Sequence, residues 1–482
     1  MARRAFRRAR LVTGALGGIL QDALANGGRL ADVATGGDAD GPALVARAQG
    51  LALSLQAGMM PDEPVHVRVA NRPGDLADML GVWLAGGVVV PVHASAASHT
   101  LQAVARATGA RLAVDRGKVD AIAAAPPARR TLLEGAALVI FTSGTTGAPK
   151  GVVIGHTAFA GKLEVLGGLL GIKAGDVVLL PLQLTFIFGI WVALLALRSR
   201  ARLLLAPKFD AAAASSLAGV TVLAAVPSLL RTIFAGPVAP APLLRTVLTG
   251  GEALGPALRR QIPAAWPWVT TIDLYGSTET GSCDFAHVAV GKGEGSIGRP
   301  TAGVEYRIAS PHENPAAGGL PGELLVRTPF GMAGYLDDPA LTEASFAGGY
   351  YRTGDLAKAL PDGSIALVGR LKELVSRGGN KIAPQEIDDI LLSHPGVTAS
   401  LTAGLPDARL GEAIHSAVVL ANGHEISIGT LRDWLMARTE RFKLPDSITV
   451  MEALPTGPTG KASRAELKRI LLARRDREST AG

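Results

Sequence analysis

Cysteine is almost absent from this chain of 482 residues, in which Cys283 is the only one. One cysteine cannot form an intramolecular disulfide, so the sequence excludes a disulfide-stapled fold and predicts a reducing, cytoplasmic location. A lone cysteine is also more often an inert core thiol than a nucleophile. Cys283 is therefore expected to be structural.

Aromatic residues are scarce as well, at 4% of the sequence, and charged residues reach only 18%. No helix dense in basic residues and no pattern of stacking aromatics is recognisable, which disfavours nucleic-acid binding. Lys and Arg nevertheless exceed Asp and Glu by 48 to 41, which gives a formal net charge of +7. This balance suits anionic small molecules.

One uncharged run, from Val177 to Leu197, has the 21 residues that match the length of a membrane-spanning helix. Pro181, Gln183 and Thr185 interrupt this run and divide it into an apolar strand, a turn and a helix. The sequence therefore predicts a buried strand and helix of a soluble core here, and no membrane span.

The N-terminus combines Arg3 and Arg4 with a weakly apolar stretch, which raises the alternative of an export signal. Gly14, Gly17 and Gly18 interrupt the apolar part, and no clear small-residue cleavage site follows. A basic amphipathic first helix is the favoured interpretation.

The length predicts two or more domains, because a single hydrophobic core rarely grows beyond about 250–300 residues. Short apolar runs such as VHVRVA, LVIFT and RLLLA alternate with Ala/Leu-rich segments of helical spacing, a pattern typical of parallel sheets covered by helices. From about Gly295 the pieces become shorter and β-like, and from about Leu371 a compact α+β pattern returns. The predicted fold class is α/β: a large N-terminal domain (residues 1–370) of mostly parallel sheets flanked by helices, with a small β subdomain, and a small α+β C-terminal domain (residues 371–482).

A loop rich in glycine and hydroxyl residues follows the strand-like LVIFT. The string FTSGTTGAPKG runs from Phe141 to Gly151 and ends with Lys150 beside the last glycine. Glycines let backbone N–H groups surround an anion, and the hydroxyls and the lysine add donors and positive charge. A polyphosphate is the predicted ligand. Since no Ser or Thr follows Lys150 to bind magnesium, a P-loop kinase or GTPase is disfavoured.

Five further motifs follow in the order GGEA, DLYGSTE, YRTGD, GRLKE with PQEI, and LPTGPTGKASR. They begin at Gly250, Asp273, Tyr351, Gly369 and Leu454. Together with the loop, they resemble the acyl-adenylate-forming superfamily, which includes acyl-CoA synthetases, adenylation domains of peptide synthetases and firefly luciferase. The resemblance spans about two thirds of the 482 residues, and the stretch before the loop is less distinctive.

The resemblance implies ATP-dependent activation of a carboxylate through an acyl-adenylate, followed by thioester formation with coenzyme A. The implied cofactors are ATP, Mg²⁺ and coenzyme A, and the implied partner is a small carboxylic acid. Attack on the α-phosphorus needs positive charge around both oxyanions. The residues implied to bind ATP or AMP are Thr142, Ser143, Gly144, Thr145, Thr146, Gly147, Lys150, Gly250, Gly251, Glu252, Asp273, Tyr275, Gly276, Ser277, Asp355 and Arg370.

Three of the matching residues are implied to act in the chemistry itself. Glu279 would hold Mg²⁺, a hard cation that prefers carboxylate oxygens, and Thr278 would contact the α-phosphate. Lys461, in a Gly/Pro/Thr loop, would bring its charge to the attacking carboxylate and then withdraw. Asp355 would bind both ribose hydroxyls, because a carboxylate can hold a diol through two oxygens.

The second step needs a thiol to displace AMP from the acyl group. In the family the C-terminal domain rotates between the steps, about a hinge residue that corresponds here to Lys372. The rotation withdraws the catalytic lysine and brings the stretch around Gly379 to the path of the pantetheine arm. The resemblance thus implies that the C-terminal domain is mobile.

The acyl pocket is implied to include Phe186, Ile187, Gly189, Trp191 and Gly281. Relatives that activate amino acids place an aspartate directly after the phenylalanine, and Ile187 stands there instead. An amino-acid substrate is therefore disfavoured, and an apolar or aromatic acid is expected. Cys283 and His287, just downstream, are further candidates for the lining.

Two alternatives stay open. The chain could load a carrier-protein phosphopantetheine, but fatty members of that group often carry an insertion that the run from Gly334 to Arg370 does not show. It could also be a non-catalytic nucleotide-binding homologue, but the intact Glu279, Asp355 and Lys461 oppose this.

Overall fold

The structure is a computed structural model that describes residues 16–123, 129–142, 150–288, 296–309, 321–421, 425–456 and 462–480. The described α-helices are α1 Gly18–Ala25, α2 Gly41–Gln56, α3 Pro73–Ala85, α4 Ser98–Thr108, α5 His156–Leu170, α6 Ile187–Arg198, α7 Ala211–Ser216, α8 Pro227–Phe234, α9 Gly255–Ala265, α10 Pro339–Ala344, α11 Pro384–Leu392, α12 Ile428–Met436 and α13 Arg464–Thr480. The described strands are β1 Arg29–Asp32, β2 Asp38–Ala39, β3 Pro64–Val69, β4 Val88–His93, β5 Leu112–Asp115, β6 Lys118–Ala121, β7 Ala136–Thr142, β8 Lys150–Gly155, β9 Val177–Leu180, β10 Arg202–Leu205, β11 Val222–Ala224, β12 Thr246–Gly250, β13 Thr270–Tyr275, β14 Phe285–Val288, β15 Ser296–Pro300, β16 Glu305–Ala309, β17 Gly322–Arg327, β18 Gly334–Tyr335, β19 Phe346–Ala347, β20 Tyr350–Ala359, β21 Ile365–Arg370, β22 Val375–Arg377, β23 Asn380–Ile382, β24 Val397–Asp407, β25 Gly411–Leu420 and β26 Ser447–Val450.

The first sheet has seven strands among the described residues, in the order β18-β8-β7-β4-β3-β5-β6. Strands β7, β4, β3 and β5 are parallel to one another, while β8, β18 and β6 join them antiparallel. The central strands β3, β4 and β7 are buried on both faces and consist mainly of apolar residues, because both faces of the sheet are covered. The hairpin β7–β8 places Thr142 directly opposite Lys150, at the two ends of the predicted phosphate loop.

The second sheet has 14 strands among the described residues, and its main path is β16-β17-β20-β21-β15-β14-β13-β12-β11-β9-β10-β1-β2. Strands β13, β12, β11, β9, β10 and β1 are parallel. From β14 to β16 every neighbouring pair is antiparallel. The small β subdomain predicted from about Gly295 is thus a continuation of the parallel sheet by hydrogen bonds.

The uncharged run from Val177 to Leu197 forms strand β9 and helix α6, as the sequence predicts. The residues of α6 from Gly189 to Leu197 are buried on all sides, so the uniform apolarity reflects a core helix. Among the described residues, no helix is long and apolar enough to span a membrane.

The third sheet, of five strands, has the order β23-β22-β25-β24, and β26 pairs with β25. A hydrophobic core of its own includes Val375, Ile387 and Leu431, all at most 2% exposed. This α+β unit begins with the short 3₁₀ helix Leu371–Glu373. The observed architecture confirms the predicted fold class, and residue 371 as the domain boundary stays a prediction.

Candidate active site

Three predicted nucleotide ligands, carried by strands β13, β20 and β21, lie in contact with one another, although β14 and β15 separate β13 from β21 in the sheet. The Tyr275 hydroxyl donates to Oδ2 of Asp355 at 2.6 Å, and Nε of Arg370 lies 2.8 Å from Oδ1 of the same carboxylate. Asp355 and Arg370 are directly opposite each other in the β20–β21 ladder. Burial and the Asp355 charge raise the pKa of Tyr275 well above its ordinary value, so its hydroxyl stays a neutral donor. The arrangement places the Tyr275 ring next to the Asp355 carboxylate, whose orientation is fixed by its contacts with Tyr275 and Arg370.

Glu279, the predicted magnesium ligand, lies in the turn that follows β13. Its Oε1 accepts a hydrogen bond from the Tyr335 hydroxyl at 3.0 Å, and its carbonyl accepts from the Met332 amide at 2.8 Å. The Lys150 ammonium lies 5.6 Å from the centre of the Tyr335 ring. The lysine of the phosphate loop and the carboxylate therefore lie on two sides of one tyrosine.

A magnesium ion would fit this donor set. Mg²⁺ typically binds one or two protein carboxylates together with substrate phosphates and keeps several waters. The half-buried Glu279 supplies such a carboxylate close to Lys150. In the described ranges there is no group of three or more His, Cys, Asp and Glu that could hold a metal without substrate oxygens.

The turn that carries Gly276, Ser277 and Thr278 is fixed by its own hydrogen bonds. The Ser277 amide donates to the Thr280 hydroxyl at 3.2 Å, and the Thr280 hydroxyl donates to the buried Asp284 carboxylate. Gly281 has φ of +80°, and an added Cβ would stand 2.2 Å from the Phe330 carbonyl oxygen, so only glycine fits there.

On the predicted adenine side, Gly250 ends β12, where an added Cβ would lie 2.3 Å from the Leu274 carbonyl oxygen. Gly251 follows it directly. The carboxylate of Glu252 accepts from the Ser228 hydroxyl at 2.8 Å and from Nη2 of Arg231 at 2.9 Å. Glu252 therefore ties this loop to the start of helix α8, and an adenine contact through its carboxylate stays a prediction.

Asp273 is also engaged with the protein. Nη2 of Arg259 donates to its Oδ2 at 3.1 Å, and the side chain is buried. Burial raises the pKa of Asp273 to about 6, and the Arg259 charge acts in the opposite direction. Its predicted contact with the adenine amino group stays a prediction.

The predicted phosphate loop and the segment with Lys461 are described only at their ends. Thr142 and Lys150 are described as the facing ends of a hairpin, but the loop between them is not. The predicted residues outside the described part of the chain are Ser143, Gly144, Thr145, Thr146, Gly147 and Lys461. A backbone bridge between Thr456 and Ala462 closes the base of the segment that carries the catalytic lysine candidate.

A small cavity lies between the loop that begins at Gly250 and the end of β13. Its lining residues are Phe188, Gly250, Gly251, Leu274, Gly276, Ser282 and Cys283. Among the residues predicted to form the acyl pocket, Ile187 and Trp191 are buried, with 5% and 0% of their surfaces exposed, whereas Phe186 is 40% exposed. Gly189 packs on the backbone of Gln183. Phe188 stacks on Trp191, with ring centres 5.0 Å apart, so Trp191 supports the lining residue from behind.

The Cys283 thiol is buried, and burial raises its pKa to about 12. A thiol with this pKa is neutral near pH 7, which fits an inert side chain and not a nucleophile. His287 lies on β14 opposite Asp273, where burial lowers its pKa.

The hinge candidate Lys372 lies within the 3₁₀ turn Leu371–Glu373, directly after Arg370. Burial lowers the pKa of Lys372, and the Arg370 charge acts in the same direction. The next residue, Glu373, accepts from Nε of Arg464 at 2.8 Å, which links the hinge to the start of helix α13. Gly379 lies in the turn between β22 and β23.

The sequence interpretation did not single out Tyr335. Its only signal is the dipeptide Gly334-Tyr335 before a turn-like Asp-Asp-Pro, and nothing local identifies the distant partner Glu279. It also did not single out Lys162, which is fully buried against Asp284.

Comparison with known proteins identifies the family. The family AMP-binding enzyme matches residues 124–336, and AMP-binding enzyme C-terminal domain matches residues 386–461. Among curated proteins, a feruloyl-CoA synthase of Amycolatopsis sp is 32% identical over 446 residues, which cover 86% of this chain and 90% of that protein. A sulfoacetate–CoA ligase of Cupriavidus necator is 33% identical over 356 residues, covering 72% of this chain and 69% of the relative.

Among solved structures, ATP-bound MatB from Rhodopseudomonas palustris superposes with a TM-score of 0.82 at 25% identity, covering 94% of this chain and 98% of that one. The comparisons agree on one family: two family regions match, the similarity to curated enzymes is extended, and 94% of the chain superposes on a solved structure. The chain therefore belongs to the AMP-binding, acyl-adenylate-forming enzyme family.

Proposed function

We propose that this protein is an AMP-forming acid–thiol ligase, which activates a carboxylic acid with ATP and transfers the acyl group to coenzyme A. The observation that carries the proposal is the contact of Tyr275 and Arg370 with the Asp355 carboxylate. Glu279 follows Tyr275 by four residues, and both Glu279 and Lys150 contact Tyr335. The similarity to feruloyl-CoA synthase and sulfoacetate–CoA ligase supports the same chemistry.

In the first step, a carboxylate oxygen attacks the α-phosphorus, the bond to the bridging oxygen breaks, and pyrophosphate leaves. Tyr275 would stack on adenine, and Asp355 would bind the ribose hydroxyls, because Arg370 already holds the carboxylate in place. Lys150 and Lys461 would neutralise charge on the phosphates and the carboxylate. When bound at Glu279, Mg²⁺ supplies positive charge to the phosphate oxygens.

In the second step, the thiol sulfur attacks the acyl carbon and AMP leaves with the electrons of the former acyl–oxygen bond. The thiol proton is lost to solvent. We propose residues 371–482 as the moving domain, with Lys372 as hinge and Gly379 on the pantetheine path. Nη2 of Arg260 on α9 donates to the Leu392 carbonyl on α11 at 3.3 Å, a hydrogen bond between the two domains that the rotation would break.

The acid is proposed to be apolar or aromatic. Phe188, Leu274 and Cys283 line the cavity next to the nucleotide ligands, and Ile187 takes the place of an ammonium-binding aspartate. The single buried thiol also supports a cytoplasmic location as a proposal.

The test is a screen of pyrophosphate release over aryl acids, short and long fatty acids and amino acids, with and without coenzyme A. We expect release that depends on an apolar or aromatic acid, and a coenzyme A thioester detected by mass spectrometry. A Lys461→Ala variant, which should not adenylate, serves as the inactive control. Acyl-AMP that is consumed by a phosphopantetheinylated carrier protein but not by coenzyme A would assign the chain to the carrier-loading ligases instead.

A further inference from the structure

Among the described residues, Tyr335 is the one side chain that contacts both Lys150 and Glu279, and none of the motifs assigns it a role. Its hydroxyl donates to Oε1 of Glu279 at 3.0 Å, and its ring centre lies 5.6 Å from the Lys150 ammonium. Both distances are within the range of effective interactions with an ion. The phenol therefore links the lysine of the phosphate loop with the predicted metal ligand.

The backbone of Tyr335 is held on two sides. In the β18–β8 pairing it lies opposite Val152, and its own amide donates to the Thr342 hydroxyl at 2.9 Å. Its neighbour Leu336 donates to the Gly151 carbonyl at 2.8 Å, next to Lys150. The ring is 4% exposed. A side chain fixed in this way loses little further entropy when it orients a partner.

The Tyr335 hydroxyl has two neighbours: it donates to Glu279, and the Tyr351 hydroxyl lies 3.4 Å from it. A phenol has one hydrogen to donate, so with Glu279 as its acceptor the Tyr335 oxygen can only accept from Tyr351. With Oε1 engaged in this way, the carboxylate has a defined orientation toward a cation.

We propose that Tyr335 is a positioning residue for adenylation: its hydroxyl orients the Glu279 carboxylate for magnesium, and its ring seats the Lys150 ammonium toward the departing pyrophosphate. The inference rests on the proposed function of the site. The ligand concerned is the magnesium complex of a nucleoside triphosphate. The alternative, that Tyr335 is only a core residue, predicts that the ring matters and the hydroxyl does not.

The test compares Tyr335→Phe with Tyr350→Phe. The first variant keeps the ring under Lys150 and removes the hydrogen bond to Glu279. The second removes a bond of the same type, because the Tyr350 hydroxyl donates to Glu305 at 3.2 Å outside the site. A third variant, Tyr335→Leu, removes both the hydroxyl and the ring.

Two measurements are made on each full-length variant: the Mg²⁺ dependence of pyrophosphate release, and calorimetric binding of ATP with Mg²⁺ or with a chelator. For Tyr335→Phe we expect roughly a tenfold rise in the Mg²⁺ concentration at half-maximal rate, the effect of one hydrogen bond to a charged group. ATP binding should weaken by a similar factor with Mg²⁺ and stay unchanged in chelator. Tyr335→Leu should also weaken binding in chelator, since Lys150 loses its support.

Tyr350→Phe should match the unmodified protein in both measurements. If Tyr335→Phe also matches it, with unchanged magnesium dependence and ATP binding, the positioning role is wrong. If the unmodified protein releases no pyrophosphate with any acid, the proposed function fails, while the calorimetric comparison still decides the role of Tyr335.

Discussion

The ammonium of Lys162 lies 3.5 Å from Oδ1 of Asp284, and both side chains are at most 1% exposed. The same ammonium donates to the Cys283 carbonyl at 3.2 Å. Ser282 and Cys283 have φ of 69° and 53°, so two successive non-glycine residues adopt the left-handed conformation. Such backbone persists only where its surroundings hold it. The buried ion pair therefore braces the turn that leads from Glu279 into β14.

Replacing Lys162 by methionine should destabilise the fold by about 3–5 kcal/mol, because it leaves Asp284 buried without its cation. The double variant Lys162→Met/Asp284→Leu should recover much of this loss. The measurement is the free energy of unfolding in urea. Arg327→Met, which breaks an exposed pair with Glu305, is the control and should change nothing measurable. Equal stability of Lys162→Met and the unmodified protein would contradict a bracing role.

Asp355→Ala should raise the apparent KM for ATP by a factor of at least about one hundred, since two hydrogen bonds to ribose, each worth roughly 1.5–3 kcal/mol, are lost. Steady-state pyrophosphate release at varied ATP gives this value. Asp362→Asn changes an exposed carboxylate in the β20–β21 turn and serves as the control. An unchanged KM in Asp355→Ala would remove Asp355 from the nucleotide site.

Lys461→Ala should abolish adenylation yet largely spare thioester formation from pre-made acyl-AMP, because its charge is needed only while pyrophosphate departs. Lys461 lies outside the described residues. The two half-reactions are assayed separately, and Lys468→Ala, a surface lysine near Glu412 on the same domain, is the matched control. Equal loss in both half-reactions would show that the assignment is wrong or that the variant is unfolded.

Lys372→Pro should make acyl-AMP once and then stall before coenzyme A. Proline fixes φ near −65°, whereas a hinge residue must change its backbone angles between the two steps. Lys372→Ala keeps this freedom and should do far less harm. Two single-turnover assays follow acyl-AMP formation and its consumption by coenzyme A. If the proline variant performs both steps at the rates of the unmodified protein, rotation about Lys372 has to be given up.

Cys283 should resist thiol reagents in the native protein at pH 8. Its pKa is raised to about 12, so only a very small fraction is thiolate at that pH, and solvent does not reach it. We expect no labelling by a chromogenic disulfide in buffer and one thiol per chain in guanidinium chloride. Rapid labelling of the native protein would contradict the burial of the Cys283 thiol in the cavity wall.

The sequence could assign Tyr275 and Asp355 to one predicted site because each lies in a short, recognisable motif. Tyr275 and Asp355 are 80 positions apart, and the structure joins them by one hydrogen bond. Tyr335 was missed since its function depends on the pairing of β18 with β8, and no local pattern specifies which distant strand a two-residue strand joins.

The carboxylates of Glu252 and Asp273 show a second limit of prediction from motifs. A motif identifies a charged residue, but the arginine that forms an ion pair with it depends on how the helices pack. Here helix α8 brings Arg231 to Glu252, and helix α9 brings Arg259 to Asp273. These partners become visible only when the helices are placed against the sheet.

The continuous second sheet has a mechanical consequence for the intermediate. Tyr275 on β13 and Asp355 on β20 are connected through β14, β15 and β21 by unbroken strand pairing. In the proposed rotation of the third sheet, this pairing would keep the proposed adenine contact of Tyr275 and the proposed ribose contact of Asp355 at a constant distance from each other. The AMP half of the acyl-adenylate would then stay bound, and only its acyl half would become accessible to the incoming thiol.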